Sequence, residues 1–322
     1  MKLLRIVGLA AVVGLSGCDL DGIDLDGGGG GGAGGTFTRG FVFVRNGTAG
    51  RNVYAVDDTG DPNSPLQLTT QGGAYHPTVT RNGRLVAFVY RAGSVMELRT
   101  VPTTGTGQPS TVFASTSTSC SGCSNFRYPT FNPSGSTIVF TLDQGGYAKL
   151  ARVNADGSSF QLITTVSGSN PYVYGAASFY PDGQNVLAAA GYSTSQLNTL
   201  VKVGVTTGSA DVISFNVGTA NSVVTRPVVS PDGSKVAFDG RTSNGSQIFV
   251  APLGQTLGSV TQVTSHTGEF GVEDTWPSWR GNTELSFLSN SGGNDNVYRI
   301  STASTGAGTL VVPGALEPAY GG

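Results

Sequence analysis

The chain has 322 residues, a formal net charge of −2 at pH 7 and only 12% charged residues, a composition with 49 glycines that is typical of an exported all-β protein. Four acidic and two basic residues lie within the first 36 positions, so the remainder carries sixteen of each sign and is formally neutral. A neutral domain has no field that would concentrate a polyanion, which argues against nucleic acid or a lipid headgroup surface as the main partner.

The N-terminus has the organisation of an export signal. Lys2 and Arg5 precede an apolar stretch at residues 6–14, which is far shorter than the ~20 residues a membrane-spanning helix needs. The segment Leu15-Ser16-Gly17-Cys18 resembles the lipobox of bacterial lipoproteins. That resemblance implies a signal peptide over residues 1–17 and a diacylglycerol thioether on Cys18, with several acyl chains giving stable anchoring. The alternative is an ordinary secretory signal with a chance cysteine.

Residues 18–36 form an acidic and glycine-rich tether. Aspartates occupy positions 19, 21, 24 and 26, and residues 27–35 are all Gly except Ala33. A flexible coil of about 18 residues spans roughly 25 Å on average. The aspartates lack the glycine and distal Glu of an EF-hand, so a solvated spacer is favoured over a calcium loop. Asp19 resembles the inner-membrane retention signal of enteric lipoproteins, but other phyla read this position differently and the sorting stays open.

Two cysteines remain once Cys18 is assigned to lipid. Cys120 and Cys123 are separated by Ser-Gly in a Ser/Thr-rich loop, which favours a local disulfide. Redox chemistry would need a helix N-terminus that lowers the thiol pKa, and zinc would need two further ligands in a chain with only two histidines. Both of these, and reduced thiols, remain as alternatives.

A motif recurs along residues 37–322. Its clearest copy is Arg226-Pro-Val-Val-Ser-Pro-Asp-Gly233-Ser-Lys-Val-Ala-Phe238. The marker glycines of five copies are 48 to 52 residues apart, at positions 83, 135, 183, 233 and 281. Each copy predicts a β-hairpin whose turn glycine has φ > 0.

Two further short strands follow each hairpin, which gives the four antiparallel strands of a propeller blade. The third strands are expected at residues 96–101, 149–153, 200–205, 248–251 and 297–300, and the fourth at 111–114, 160–164, 211–215, 260–263 and 309–312. Three N-terminal strands, at 41–45, 52–56 and 66–70, lack a first strand, which residues 317–320 would supply. We therefore predict an all-β, six-bladed propeller closed by pairing of the N- and C-terminal strands.

The repeated Pro-x-x-Ser-Pro-Asp-Gly-x-x-x-Ala-Phe resembles the repeats of TolB-like β-propellers over nearly all of residues 37–322. The resemblance implies a periplasmic propeller that binds protein or peptide partners at the mouth of its channel. The chain departs from that pattern because it carries a lipobox and lacks an α/β domain ahead of the propeller, which puts a direct TolB role in doubt.

The residue before each repeat proline is expected to surround one end of the channel. This ring consists of His76, Tyr128, Ala176, Arg226, Trp276 and Glu317. Its aromatic and charged members suit a peptide or a small polar ligand, although they could instead simply fill the channel end. Neighbouring loops are expected to add further side chains to this face, namely Phe126, Arg127, Tyr172, Tyr174, Phe270, Glu273 and Asp274.

Catalytic groups are harder to place. The inner-strand positions are Val79, Phe131, Phe179, Val229 and Trp279, whereas a propeller glycosidase would place paired carboxylates there. The sequence has no G-x-S-x-G elbow, and His266 near Glu269 is assigned to a loop rather than to a triad. Calcium at Asn294-Asp295 is possible, but a turn is favoured.

These features predict a lipid-anchored, non-catalytic propeller that binds an envelope protein or peptide as a monomer, without a cofactor, facing the periplasm or the cell surface. One alternative is a hydrolase or lyase that acts on envelope polysaccharide or peptide through Glu273, Asp274 or His266. A further alternative is a structural coat component.

Overall fold

The computed structural model describes residues 37–322 except 166, 168–170, 215–222, 255 and 258. It contains six four-stranded antiparallel sheets, which are the blades of a propeller. The predicted fold is therefore confirmed. The helical elements of the described residues are two 3₁₀ turns, Thr118–Cys120 and Ser291–Gly293. No helix within these ranges is long and apolar enough to cross a membrane.

Each blade contributes four strands in order from the channel outwards, except that blade 1 takes its innermost strand from the C-terminus. The innermost strands of blades 1 to 6 are β24 (Leu316–Gly321), β4 (Ala74–Val79), β8 (Ser124–Phe131), β12 (Val173–Phe179), β16 (Val224–Val229) and β20 (Asp274–Arg280). The second strands are β1 (Gly40–Gly47), β5 (Leu85–Ala92), β9 (Thr137–Gln144), β13 (Asn185–Gly191), β17 (Lys235–Thr242) and β21 (Glu284–Ser289).

The outer strands complete each sheet. The third strands are β2 (Gly50–Asp57), β6 (Val95–Pro102), β10 (Tyr147–Asn154), β14 (Leu197–Gly204), β18 (Gly245–Pro252) and β22 (Asn296–Ser301). The fourth are β3 (Leu66–Gln67), β7 (Ser110–Ala114), β11 (Gln161–Leu162), β15 (Ala210–Ile213), β19 (Thr261–Gln262) and β23 (Thr309–Pro313). Several fourth strands are only two residues long and shorter than predicted. Position 215, which the sequence assigned to one of them, lies outside the described residues.

The ring closes where the two ends of the propeller sequence pair. Strand β24 pairs antiparallel with β1, with Phe41 opposite Tyr320 and Gly40 opposite Gly321. The Phe41 and Tyr320 rings pack edge to face with centroids 5.2 Å apart. Pairing the terminal strands removes the two free edges that an open blade would leave.

The hydrophobic core lies mainly between neighbouring blades. One cluster joins Leu98 and Phe113 of blade 2 to Phe126 and Phe140 of blade 3. Strand alternation produces this arrangement, because successive side chains point to opposite faces of a sheet and each blade face packs on the next blade.

The propeller has two unlike faces. The turn face carries the hairpins between first and second strands, and their marker glycines Gly83, Gly135, Gly183, Gly233 and Gly281 all have positive φ, between 66° and 75°. The mouth face carries the hairpins between second and third strands and the loops that join one blade to the next. Phe37 and Thr38 reach the propeller at the turn face, where they lie against Gly83.

Candidate functional site

The six ring residues occupy equivalent positions in the innermost strands, near the end that opens on the mouth face. In every blade the pairing of first and second strands is interrupted at this point by a β-bulge. Five ring residues have φ values between 46° and 57°, and each is followed by proline: His76, Tyr128, Arg226, Trp276 and Glu317. Ala176 of blade 4 is followed by Ala177 and is not among the residues with positive φ.

This backbone conformation is costly for a residue with a Cβ atom. A non-glycine residue in the left-handed region costs on the order of 1–3 kcal/mol, and such positions cluster at functional sites. The bulge accommodates the following proline, since the extra residue of a bulge does not take part in the ladder of hydrogen bonds that proline cannot join. The repeated X-Pro dipeptide marks the positions of the ring in the sequence, although not their backbone conformation.

Three aromatic side chains of the ring stack on one another at the channel axis. The His76 ring lies 4.7 Å from the Tyr128 ring and 5.2 Å from the Trp276 ring, centroid to centroid. Tyr128 and Trp276 are 5.6 Å apart. Side chains from blades 2, 3 and 6 therefore meet, and they narrow the channel at the mouth.

Arg226 is fixed beside this aromatic group by a two-pronged ion pair. Its Nε and Nη2 atoms donate to the two carboxylate oxygens of Asp239 at 2.9 and 2.6 Å, and its guanidinium lies 5.0 Å from the centre of the Trp276 ring. The Asp239 side chain is only 2% exposed and also accepts from the Thr225 hydroxyl. Burial acts to lower the pKa of Arg226, but the Asp239 carboxylate outweighs it and the pKa is raised.

Glu317 faces away from the channel axis and joins two blades. One carboxylate oxygen accepts from Arg51 at 2.5 Å and the other accepts from the His76 backbone N–H at 2.6 Å. The residue is 8% exposed. Both oxygens are thus used within the protein, and Glu317 supports the ring rather than offering a free carboxylate.

His76 is held neutral. Burial, followed by the positive charges of Arg91, Arg51, Arg226 and Arg127, lowers its pKa from 6.5 to about 3. Its Nδ1 atom accepts from the Tyr128 backbone N–H at 3.4 Å, which places the single ring proton on Nε2. A neutral imidazole can stack on Tyr128 and on Trp276 without adding a charge to the mouth.

Two cavities lie along the channel. The one next to the ring has an empty volume of about 580 Å³, and between the ring prolines it is lined by small residues such as Thr78, Thr130 and Ser178. The second opens towards the turn face, has about 750 Å³, and is lined by Val79, Phe131, Phe179, Val229 and Trp279. The inner-strand positions predicted from the repeat therefore surround the far end of the channel.

The structure brings only some of the predicted neighbours to the mouth. Arg127 lies there and pairs with Asp143 at 2.7 Å. Burial acts to raise the pKa of Asp143, but hydrogen bonds from Arg127 and Asn125 outweigh it and lower the pKa. Glu273 accepts from Arg241 at 2.7 Å at the edge of the same face.

Other predicted neighbours belong to the interior. Phe126 and Tyr174 are fully buried, because they fall on strands where alternate side chains enter the core between blades. Asp274 is also fully buried, and its Oδ2 atom lies 2.8 Å from Nε2 of His266. Glu269, the residue first considered as a partner for His266, instead accepts from the Ser291 hydroxyl at 2.8 Å.

Large exposed aromatic side chains surround the mouth. Phe270 is 85% exposed and lies in a loop between blades, whereas Tyr192 (72%) and Tyr147 (49%) lie at hairpins of the mouth face. Tyr172 packs against Tyr192 with ring centroids 5.4 Å apart. The sequence had indicated Phe270 and Tyr172 but not the two hairpin tyrosines.

The cysteine and metal predictions map to the periphery. Cys120 and Cys123 are joined by a disulfide beside a 3₁₀ turn of the mouth face, with Cα atoms 5.6 Å apart. Cys18 and the rest of the tether lie outside the described residues. Asn294 and Asp295 lie in the connection between β21 and β22. Among the residues that the structure describes, no three His, Cys, Asp or Glu side chains form a group that could hold a metal ion.

Sequence reasoning missed the charged residues behind the ring. Arg91, Asp143 and Arg241 each stand three positions after the phenylalanine of a repeat hairpin, and Asp239 follows Phe238 directly. Because the second strand runs towards the mouth face, these offsets place all four side chains at the mouth end of the strand. Arg241 lies at the edge of the face, where it pairs with Glu273. The offset is the signal by which they could have been found.

No protein-family model and no curated protein matches this chain. Its structure is similar to that of TolB from Acinetobacter baumannii, with 18% sequence identity, a TM-score of 0.64, and coverage of 89% of this chain and 67% of that one. It is also similar to a putative TolB from Agrobacterium tumefaciens, with 14% identity, a TM-score of 0.56, and coverage of 89% and 91%. Oligogalacturonate lyase from Vibrio parahaemolyticus is more distant, at 15% identity, a TM-score of 0.49, and coverage of 84% and 72%. At these identities the likeness to the two TolB structures supports the propeller fold alone.

Proposed function

We propose that this chain is an exported lipoprotein anchored through Cys18, and that its propeller is a non-catalytic module that binds a protein or peptide partner of the cell envelope at the channel mouth. The observation that carries the binding proposal is the ring of five strained, side-chain-bearing residues at one end of the channel. Glycine at these positions would avoid the strain. Retaining large side chains there at a cost on the order of 1–3 kcal/mol each is typical of a functional site.

The chemistry of the mouth also supports a peptide or protein partner. Tyr, Trp and Arg are the residues most often found at the energetic centres of protein interfaces, and Tyr128, Trp276 and Arg226 meet here. The exposed Phe270 and Tyr192 around them add apolar surface on the same face. A partner could therefore place a side chain or a chain end in the mouth and rest on the surrounding rings.

The point at which the chain enters the propeller supports a mouth that is accessible in an anchored protein. Phe37 and Thr38 lie at the turn face, against Gly83. A tether that ends there leaves the mouth face on the opposite side of the propeller from its attachment.

Site-specific photocrosslinking in the native cell tests the binding proposal. A photoreactive amino acid replaces Tyr192 or Phe270 on the mouth face of the full chain, or the exposed Asp156 on the turn face as the matched control. We expect the same crosslinked partner from both mouth positions, no such product from position 156, and its loss when Trp276→Ala is added. Crosslinks from position 156 alone, or none from either mouth position, would overturn the proposal.

The anchor is tested separately, by the change Cys18→Ser. The wild-type chain is expected to incorporate radiolabelled palmitate and to sediment with membranes, because its cysteine carries acyl chains. The variant is expected to lose both properties. A variant that still sediments with membranes in an unlabelled form would contradict lipid anchoring at this residue.

A further inference from the structure

Four arginines surround the aromatic group at the mouth. Arg91, Arg51, Arg226 and Arg127 are the charged residues whose electrostatic effect lowers the pKa of His76. They come from blades 1, 2, 3 and 5 and converge only because the propeller closes. The formally neutral domain therefore concentrates positive charge at one point.

Three of these four arginines are already neutralised by a carboxylate. Arg51 pairs with Glu317 at 2.5 Å, Arg127 with Asp143 at 2.7 Å, and Arg226 with Asp239 at 2.6 Å. In each pair a guanidinium N–H donates to a carboxylate oxygen, which is the strong, charge-assisted form of hydrogen bond.

Arg91 is the exception. Its side chain forms no ion pair within the described part of the chain, and its Nε atom is buried without a hydrogen-bond partner. The guanidinium carbon lies 4.6 Å from the centre of the Tyr75 ring, which also contacts Arg51 at 4.4 Å. The Nε atom of Arg51 also lacks a partner, but Arg51 is neutralised by Glu317. Arg91 is therefore the arginine of the four that lacks both a counter-charge and a partner for its buried donor, which is destabilising.

We propose that Arg91 binds a carboxylate of the peptide partner, either its C-terminal carboxylate or an Asp or Glu side chain. This inference rests on the proposed function, since it specifies the chemistry of the ligand at the same mouth. One unpaired guanidinium matches one negative charge. The planar fork of arginine also matches a carboxylate better than it matches a neutral amide.

The stacked rings define what lies next to that carboxylate. His76, Tyr128 and Trp276 present aromatic surface beside the four arginines. Arg91 lies over the Tyr75 ring, whose centroid is 6.3 Å from that of the His76 ring. A carboxylate bound at Arg91 would therefore have aromatic side chains beside it, which favours an apolar or aromatic residue adjacent to the carboxylate.

The test uses peptides selected from a random library on the full chain, retaining those whose binding is lost with Trp276→Ala. Binding to the wild type and to every variant, including Trp276→Ala, is measured by fluorescence anisotropy of labelled peptide, because a readout by tryptophan emission would be lost with Trp276 itself. Each peptide is compared with its C-terminal amide and with versions in which Asp or Glu is replaced by Asn or Gln. Weaker binding of the amide form would identify the C-terminal carboxylate as the ligand group, and weaker binding of an Asn or Gln form would identify an acidic side chain.

Two protein variants complete the test. Arg91→Gln removes the unpaired guanidinium, and Arg84→Gln removes an equal charge from an exposed site on the turn face of the same blade. We expect Arg91→Gln to weaken binding about tenfold, equivalent to about 1.4 kcal/mol, with no change for Arg84→Gln and no loss of thermal stability. The peptide with the C-terminal amide, or one of the peptides with Asn or Gln, should bind the wild-type chain about tenfold more weakly as well. The same peptide should bind Arg91→Gln with little further loss of affinity.

The outcomes separate this inference from the function on which it rests. Peptides that bind at Trp276 but keep their affinity with Arg91→Gln and after every carboxylate replacement would overturn the carboxylate site alone. A library without any peptide sensitive to Trp276→Ala would overturn both. An equal loss for Arg84→Gln would also overturn the inference, because it would reveal only a general effect of charge.

Discussion

The two faces of the propeller are built by different kinds of contact. On the turn face, Asp232 accepts from the Ser230 and Ser234 hydroxyls and from the Ser234 backbone N–H, all within two residues of itself. On the mouth face, Glu317 accepts from the His76 N–H across 241 positions of sequence. The repeat turn at Asp232 is therefore determined locally, whereas the contact of Glu317 with His76 forms only when the C-terminal strand has completed blade 1 beside blade 2.

This difference explains where strain and burial occur. The hairpins between first and second strands place glycine at the position with positive φ, as at Gly83 and Gly233. The mouth places His76, Tyr128 or Trp276 in that conformation and buries ion pairs behind them. Closure of the ring alone does not require large side chains at strained positions on the mouth face and glycines at the hairpins of the turn face.

Breaking the Arg226–Asp239 pair should give the largest effect. Asp239→Ala leaves the Arg226 guanidinium, whose side chain is 21% exposed, without its carboxylate. Removal of one partner of a fully buried pair costs about 3–5 kcal/mol, so we expect a loss of about 3 kcal/mol for this partly exposed arginine. Urea unfolding of the variant measures this loss. Asp156→Ala, on the turn face, is the control and should change the free energy of unfolding very little. A loss at Asp239 no larger than that of the control would contradict the contrast between the faces.

His76 should make stability depend on pH at the mouth. The pKa of His76 in the folded protein, about 3, lies below its ordinary value of 6.5. Between pH 3 and pH 6.5, His76 is therefore protonated in the unfolded chain but neutral in the folded one. Stability contributed by neutral His76 is therefore complete above about pH 6.5 and falls as the pH is lowered towards 3, by about 1.4 kcal/mol per pH unit.

His76→Gln removes this titration. Urea unfolding at pH 6 and pH 4 should show a smaller loss of stability on acidification for the variant than for the wild type. Equal losses would mean that His76 is protonated in the folded protein, and that the arginines do not act on it as the structure implies.

The strained ring can be tested by pairs of small substitutions. The Tyr128→Gly variant should be more stable to unfolding than Tyr128→Ala by about 1 kcal/mol, because the left-handed conformation is unfavourable for alanine but not for glycine. At Ala176, where φ is not positive, the change to glycine should instead destabilise by about 0.5–1 kcal/mol. Thermal unfolding of Tyr128→Gly, Tyr128→Ala and Ala176→Gly measures the two differences. If glycine were less stable than alanine at both positions, the claim that the ring backbone is strained would be contradicted.

The turn face should give the smallest effect. Hydrogen bonds from Ser230 and Ser234 lower the pKa of Asp232 from 3.8 to about 2, so the stabilisation by its carboxylate is complete above about pH 4 and is lost as the pH falls towards 2. Asp232→Asn should therefore be slightly less stable than the wild type at pH 6 and equal to it near pH 2. A difference that persists unchanged at pH 2 would contradict this local role.

The hairpins, the closure of the ring and the positions of the ring residues could be predicted from the sequence. Turn glycines at a regular spacing, as at Gly83 and Gly233, indicated the hairpins, and the unmatched strands at Phe41 and Tyr320 indicated the closure that the structure confirms. The repeat prolines also indicated the positions of the ring residues.

The remainder depends on which face of a strand a side chain occupies and on contacts between distant parts of the chain. Asp274 was expected at the mouth, but its strand places the carboxylate in the interior beside His266. The pairing of Arg51 with Glu317 joins residues 266 positions apart and is known only once the ring has closed. Strain at Tyr128 was also hidden, because proline usually follows a residue in the β region rather than in the left-handed one.

Hydrogen exchange of the full chain with and without a peptide selected on it tests the central claim, that the mouth face is the binding face, most directly. Protection on binding is predicted for the mouth ends of the innermost strands, around His76, Tyr128 and Trp276, and for the hairpins near Arg91 and Tyr192. The turns at Gly83, Gly135 and Gly233 should remain unchanged. Protection confined to those turns, with no change around His76, would contradict the account.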